Sequence, residues 1–201
     1  SYDGLLAARA FTITISSHVT QMFNELKEVV GRGFKKNEVE TATRLFNYLG
    51  KSFRASDYTW ARYTMQKIAR SVMEETDKYD VVLTPIISQK PPLIGEIRPN
   101  KQASILSEII MTLKLGWVFR IQSIRDSILN NLAPESLWYS PDAMLQNITG
   151  QPSISLPTYW TSDNLPLGVQ FASRYADEET LISLAAQLEE ISPWINKTPN
   201  L

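Results

Sequence analysis

Ser16, Ser17 and His18 stand side by side, and a hydroxyl next to an imidazole is the raw material of a nucleophile activated by a base. On a helix, however, consecutive residues point about 100° apart and do not face one another. A working pair also needs an orienting carboxylate and donors for the oxyanion. The cluster therefore reads as part of a half-buried helix face, and no catalytic residue is assigned to it. Acidic residues fall mostly on helix faces, as Glu25 with Glu28, Glu74 with Glu75, and Asp177 to Glu179. None forms a loop pair holding two acids about 5 to 10 Å apart, the spacing that glycoside hydrolysis uses. Lys35 and Lys36, with Arg32 nearby, make a small basic cluster without interleaved aromatics and read as a solvated turn. The triplets at Asn147 and Asn196 read as chance matches to the glycosylation sequon.

Composition removes further chemistries. The 201 residues include no cysteine, one histidine and 8 glycines, no two of them adjacent. A thiol nucleophile, a disulfide framework and a thiolate or multi-histidine metal site are excluded. So are the Gly-x-Gly-x-x-Gly and Gly-Lys-Ser/Thr phosphate loops. No metal and no cofactor is expected. With 20 basic and 21 acidic residues there is no bulk electrostatic case for nucleic acid or anionic lipid. Apolar stretches break long before about 18 residues, so no membrane span is expected. The first residues lack a signal-peptide layout, and a cytoplasmic protein is expected.

The elements that must position any site follow from periodicity. Residues 5 to 30 predict a helix whose stripe is Leu6, Ile13, Ile15, Val19, Met22, Phe23, Leu26 and Val30, stopped by Gly31 and Gly33. Asn37 with Glu40 predicts the capping box of a second helix, and Gly50 its end or pause. Ser56 and Asp57 predict the cap of a third, with Trp60, Ala61, Met65, Ile68, Ala69, Val72 and Met73 along one face. Residues 1–78 thus form a helical segment, and the period changes at Tyr79. Val81 to Thr84 predict a buried strand closed by Pro85, followed by a proline-rich connection over 85 to 104. A helical block over about 103 to 132 should fray at Asn130-Asn131. Ser140-Pro141-Asp142 predicts a helix start, and that helix should break at Gly150. Strands are expected at Pro152 to Leu156 and Gly168 to Ala172, with a turn at Asp163 and Asn164. Asp177-Glu178-Glu179 supplies the acidic first turn of a last helix.

Between Asn147 and Phe171, Thr149, Gln151, Ser153 and Ser155 are polar where the chain should be interior, and buried polar groups must be paired. The segment is either a structural hydrogen-bond lattice or one wall of a pocket. Asn147-Ile148-Thr149-Gly150-Gln151-Pro152-Ser153-Ile154-Ser155-Leu156-Pro157 resembles the C-terminal hallmark of the amidase signature family. Asn164-Leu165-Pro166-Leu167-Gly168-Val169-Gln170-Phe171 resembles the stretch that follows it. Tyr79-Asp80-Val81-Val82-Leu83-Thr84-Pro85, Ile94-Gly95, Asp177 to Leu181 and Pro193-Trp194 are similar to further landmarks. The helical stretch 1 to 78 is compatible with the branch of the nylon-oligomer cyclic dimer hydrolases.

The resemblance implies an α/β fold, part of a mixed β-sheet covered by helices, with a helix-rich N-terminal third and a C-terminal α/β portion over 79–201. It also implies amide hydrolysis by a serine nucleophile, a bridging serine and a lysine base. The family places these around a Gly-Gly-Ser-Ser-Gly-Gly tract, upstream of everything matched. This sequence has no adjacent glycines, so no catalytic residue is carried over. Trp117, Trp138 and Tyr139 become candidates for the rim of a substrate pocket, and Gln151 for its wall.

The expected partners are a small amide substrate of the full-length enzyme, the missing N-terminal catalytic portion, and a second copy by self-association. The expected function is the C-terminal, scaffold-bearing portion of a serine amidohydrolase, inactive alone. The alternative is a non-catalytic interaction or dimerisation module that keeps the amidase scaffold.

Overall fold

The computed structural model describes residues 2–89, 91–93, 109–110, 113, 115–140 and 142–198, with the main chain alone for 132–139. Most of the proline-rich connection and the first part of the helical block after it lie outside the described residues. The chain divides into two compact units. One combines Ser1–Gly4, Met65–Pro91 and Glu135–Leu201, and the other Leu5–Thr64 and Pro92–Pro134.

The helical unit contains most of α1 (Gly4–Val30), α2 (Thr41–Gly50) and the first half of α3 (Ala55–Thr76). It also holds a 3-10 turn (Gly116–Arg120) and most of α4 (Gln122–Tyr139). Gly31 ends α1 at φ +74°, and its N–H donates to the Lys27 carbonyl at 2.9 Å, the left-handed stop that only glycine adopts cheaply. The buried face of α1 differs from the expected stripe. Ala7, Ala8, Ala10, Thr12, Ile13, Thr14 and Ser16 are inside, whereas Met22 and Leu26 are each 40% exposed. Small residues allow close helix approach, and the Thr12, Thr14 and Ser16 hydroxyls are satisfied by carbonyls four residues earlier. A Cβ on Gly50 would collide with the Ser16 carbonyl, which makes glycine a packing requirement where α1 and α2 touch.

Two helix starts also differ from expectation. Helix α2 begins at Thr41 with Glu40 as an unbonded cap, because Glu38 bonds Arg32 and the Lys35 N–H instead. In α3, Asp57 lies inside the first turn and accepts the Arg54 N–H at 2.8 Å. Helix α4 continues past Asn131 through Pro134 to Tyr139.

The sheet unit contains β1 (Val81–Pro85), α5 (Ala143–Thr149), β2 (Ser153–Trp160), β3 (Pro166–Ser173) and α6 (Glu178–Ile191). The strands form an antiparallel sheet in the order β1-β3-β2. Strand β2 runs past the expected stop at Pro157, because the register shifts between Leu156 and Tyr159 and a proline is tolerated at such an irregularity. Alternation places Ile154, Leu156, Val169 and Phe171 on one face, where they pack with Leu181, Leu184, Ala185 and Leu188 of α6. Helix α6 starts as expected, with Asp177 accepting the Thr180 N–H at 3.3 Å. The chain is a mixed α/β fold, and none of its described helices is long and apolar enough to cross a membrane.

Candidate functional site

The sheet's second face carries Ser153 and Ser155, two of the polar residues singled out in the sequence. Thr84 and Ser155 both pair with Gln170, so the three form one row across β1, β3 and β2. Gln170 is 4% exposed and its Nε2 donates to Gln146 Oε1 of α5 at 2.7 Å. A Cβ on Gly168 would lie 2.6 Å from Ser155 Oγ, so a larger residue there would push that hydroxyl aside. Thr84 Oγ1 and Trp160 Nε1 are buried without a hydrogen-bond partner among the described residues. Buried polar atoms of this kind are rare.

Gly150, at φ +75°, ends α5 and turns the chain into β2. Gln151 follows it inside the unit. Its Nε2 donates to the Ser173 carbonyl at 3.0 Å and to Thr76 Oγ1 at 3.4 Å, while Ser173 Oγ donates to the Asp177 carbonyl at 2.6 Å. Thr149 and Gln151 are buried as expected, but Ser153 and Ser155 are exposed.

The pocket candidates are dispersed. Trp117 sits in the 3-10 turn of the helical unit and is 59% exposed. Gln151 lies buried in the other unit with its amide engaged. Trp138 and Tyr139 occupy the last turn of α4, and their side chains lie outside the described residues. The Ser16 and Ser17 hydroxyls donate to the Thr12 and Ile13 carbonyls, and His18 Nε2 meets the Tyr58 hydroxyl at 3.2 Å.

Sequence reasoning missed a cavity of about 210 Å³ in the helical unit, lined by residues including Ile13, Phe53, Trp60 and Arg125. Arg9 bonds Asp126 there at 2.6 Å, and the Arg125 guanidinium lies 5.6 Å from the Phe53 ring centre. Only the fold brings these together, since Arg9 and Asp126 are 117 positions apart. In the sheet unit, burial pushes the Asp142 carboxyl above its usual range, and burial followed by the Asp142 charge pushes the Tyr2 hydroxyl up.

The sequence profile of the Amidase family matches residues 2–182. The chain belongs to the amidase family. This amidase chain is 27% identical over 186 residues to the 6-aminohexanoate-cyclic-dimer hydrolase of Paenarthrobacter ureafaciens, covering 87% of itself and 31% of that protein. It is 29% identical over 130 residues to the putative amidase AmiC of Mycobacterium leprae, covering 65% of itself and 22% of that protein. The solved structure of 6-aminohexanoate cyclic dimer hydrolase complexed with substrate superposes with a TM-score of 0.73 at 22% identity, over 100% of this chain and 38% of that one. That likeness carries the fold. The amidase chain spans less than two fifths of each of these relatives.

Proposed function

We propose that this amidase chain supplies scaffold and part of the substrate-pocket wall to a cytoplasmic serine amidohydrolase acting on a small carboxamide. The nucleophilic serine, bridging serine and lysine base lie outside its 201 residues. The observation that carries this is the family match over residues 2–182 in a sequence with no two adjacent glycines. An oxyanion hole built from a Gly-rich turn supplies the largest single rate term in acyl transfer, and such a turn has no counterpart here. This reading carries Trp138, Tyr139 and Gln151 of the sheet unit and, separately, Trp117 of the helical unit as pocket candidates.

The catalytic portion is the partner that covers the apolar residues of the helical unit. On α1, Met22 and Leu26 are each 40% exposed and Val29 is 84% exposed, an apolar run that water disfavours. Without that portion the chain self-associates. Purified protein is expected to hydrolyse no simple carboxamide or p-nitroanilide above the buffer rate and to scatter light as more than a monomer. Clear turnover overturns the reading. A monodisperse, inactive monomer favours the alternative of a free-standing interaction module.

A further inference from the structure

Lys35 and Lys36, a solvated turn by sequence, line a cavity of about 660 Å³ within the helical unit. Lys27 of α1, Arg44 of α2 and Lys51 just beyond α2 line the same cavity. No acidic residue is among its described lining, although the chain as a whole is balanced at 20 basic and 21 acidic residues. Five cations around one concavity repel one another and focus a positive potential into it. The ammonium groups of Lys27, Lys35 and Lys51 have no carboxylate partner among the described residues.

The loop that delivers two of these lysines is held by an acid outside the cavity. Glu38 accepts both Arg32 guanidinium nitrogens at 2.9 Å and the Lys35 N–H at 2.9 Å. Its charge is thereby consumed by the loop. The walls are aromatic, with Phe23 and Phe34 meeting edge to face at 5.2 Å and Tyr48 completing the lining. Asn47 also lines the cavity. It is 7% exposed, and its Oδ1 has no hydrogen-bond partner among the described residues.

We propose that this cavity binds a phosphorylated small molecule of nucleotide type. Its phosphates are held by Lys27, Lys35, Lys36, Arg44 and Lys51, and its flat ring lies against the aromatic wall. The volume suits such a ligand, because small-molecule sites span about 300–1,000 Å³. Phosphate on lysine and arginine gives charge-assisted contacts, and aromatic faces stack on any flat ring. The site is separate from amide hydrolysis and would survive the failure of the amidohydrolase reading.

The test is calorimetric titration of the protein with ADP, inorganic pyrophosphate and adenosine. ADP should bind with Kd below about 1 mM at low salt and weaken about tenfold at 200 mM salt, as an ionic contact requires. Pyrophosphate should bind about threefold or more weakly than ADP, and adenosine should give no binding over the same range. Lys35→Glu with Lys36→Glu should weaken ADP by more than about tenfold. Should that variant lose its native circular dichroism, Lys51→Ala alone should still weaken ADP about threefold. No binding of ADP at 5 mM, on the order of five times the expected Kd, overturns the site. So does affinity indifferent to the lysine substitutions, or adenosine as tight as ADP. Pyrophosphate as tight as ADP contradicts the ring contact, and a short RNA that outcompetes ADP assigns the cavity to a macromolecule instead.

Discussion

In the sheet unit, the two buried glutamines and Arg174 are spent on the main chain or on neighbouring side chains. Gln151 closes on Ser173, Gln170 closes on Gln146, and Arg174 reaches both the Asp77 carbonyl and the Asp80 carboxylate. In the helical unit, Lys27, Lys35 and Lys51 face a concavity and are spent on nothing described. The contrast separates residues that hold a fold from residues available to a ligand. A polar group closed on its own backbone rigidifies, whereas an unmatched set of like charges costs stability and is kept where something else compensates it.

The sharpest way to break that contrast is through the sheet's core. Phe171→Ala should cost about 3–5 kcal/mol in denaturant unfolding followed by Trp194, which packs on the same cluster. A loss under about 1 kcal/mol would mean that the sheet unit is not the packed body its burial indicates. Next in size, Gln151→Ala should cost about 1–3 kcal/mol by leaving the Ser173 carbonyl without its side-chain donor, while Lys51→Ala should stay within about 0.5 kcal/mol. Equal costs would erase the distinction between spent and available groups.

The smallest effect is the protonation of Glu38, whose carboxyl the Arg32 hydrogen bond and then the Lys35 N–H hold down at about 2. Because the folded value lies below the ordinary 4.5, its contribution to loop order is complete above about pH 4.5 and is lost as pH falls towards 2. The Lys35 amide proton should titrate with a midpoint near 2 in NMR spectra, and a midpoint near 4.5 would show that the loop is not held this way.

Much of the scaffold was legible because local chemistry specified it. Gly31 and Gly150 sit at positive φ where the pattern needed stops, Asn164 at φ 58° marks the expected turn, and Asp177 caps the last helix. The errors arise where a distant partner outcompetes a local rule. Glu38 answers Arg32 and takes over the loop, so the box read at Asn37 and Glu40 does not close. The buried stripe of α1 consists of small residues because the neighbouring backbone comes close at Gly50. The candidate sites were less legible still. The aromatics around Lys35 and Lys36 include Phe23 from α1 and Tyr48 from α2, and no window along the chain joins them. Gln151 was readable as buried, but its choice of the Ser173 carbonyl depends on β3 lying beside β2.

An activated serine reacts with a fluorophosphonate far faster than an ordinary hydroxyl, whatever the amide substrate. Intact-mass measurement after such treatment therefore tests directly whether this amidase chain carries the chemistry or the scaffold. An unmodified mass is expected, with Ser16, Ser17 and the remaining serines all inert. A stoichiometric adduct on any serine of the 201 residues would contradict it.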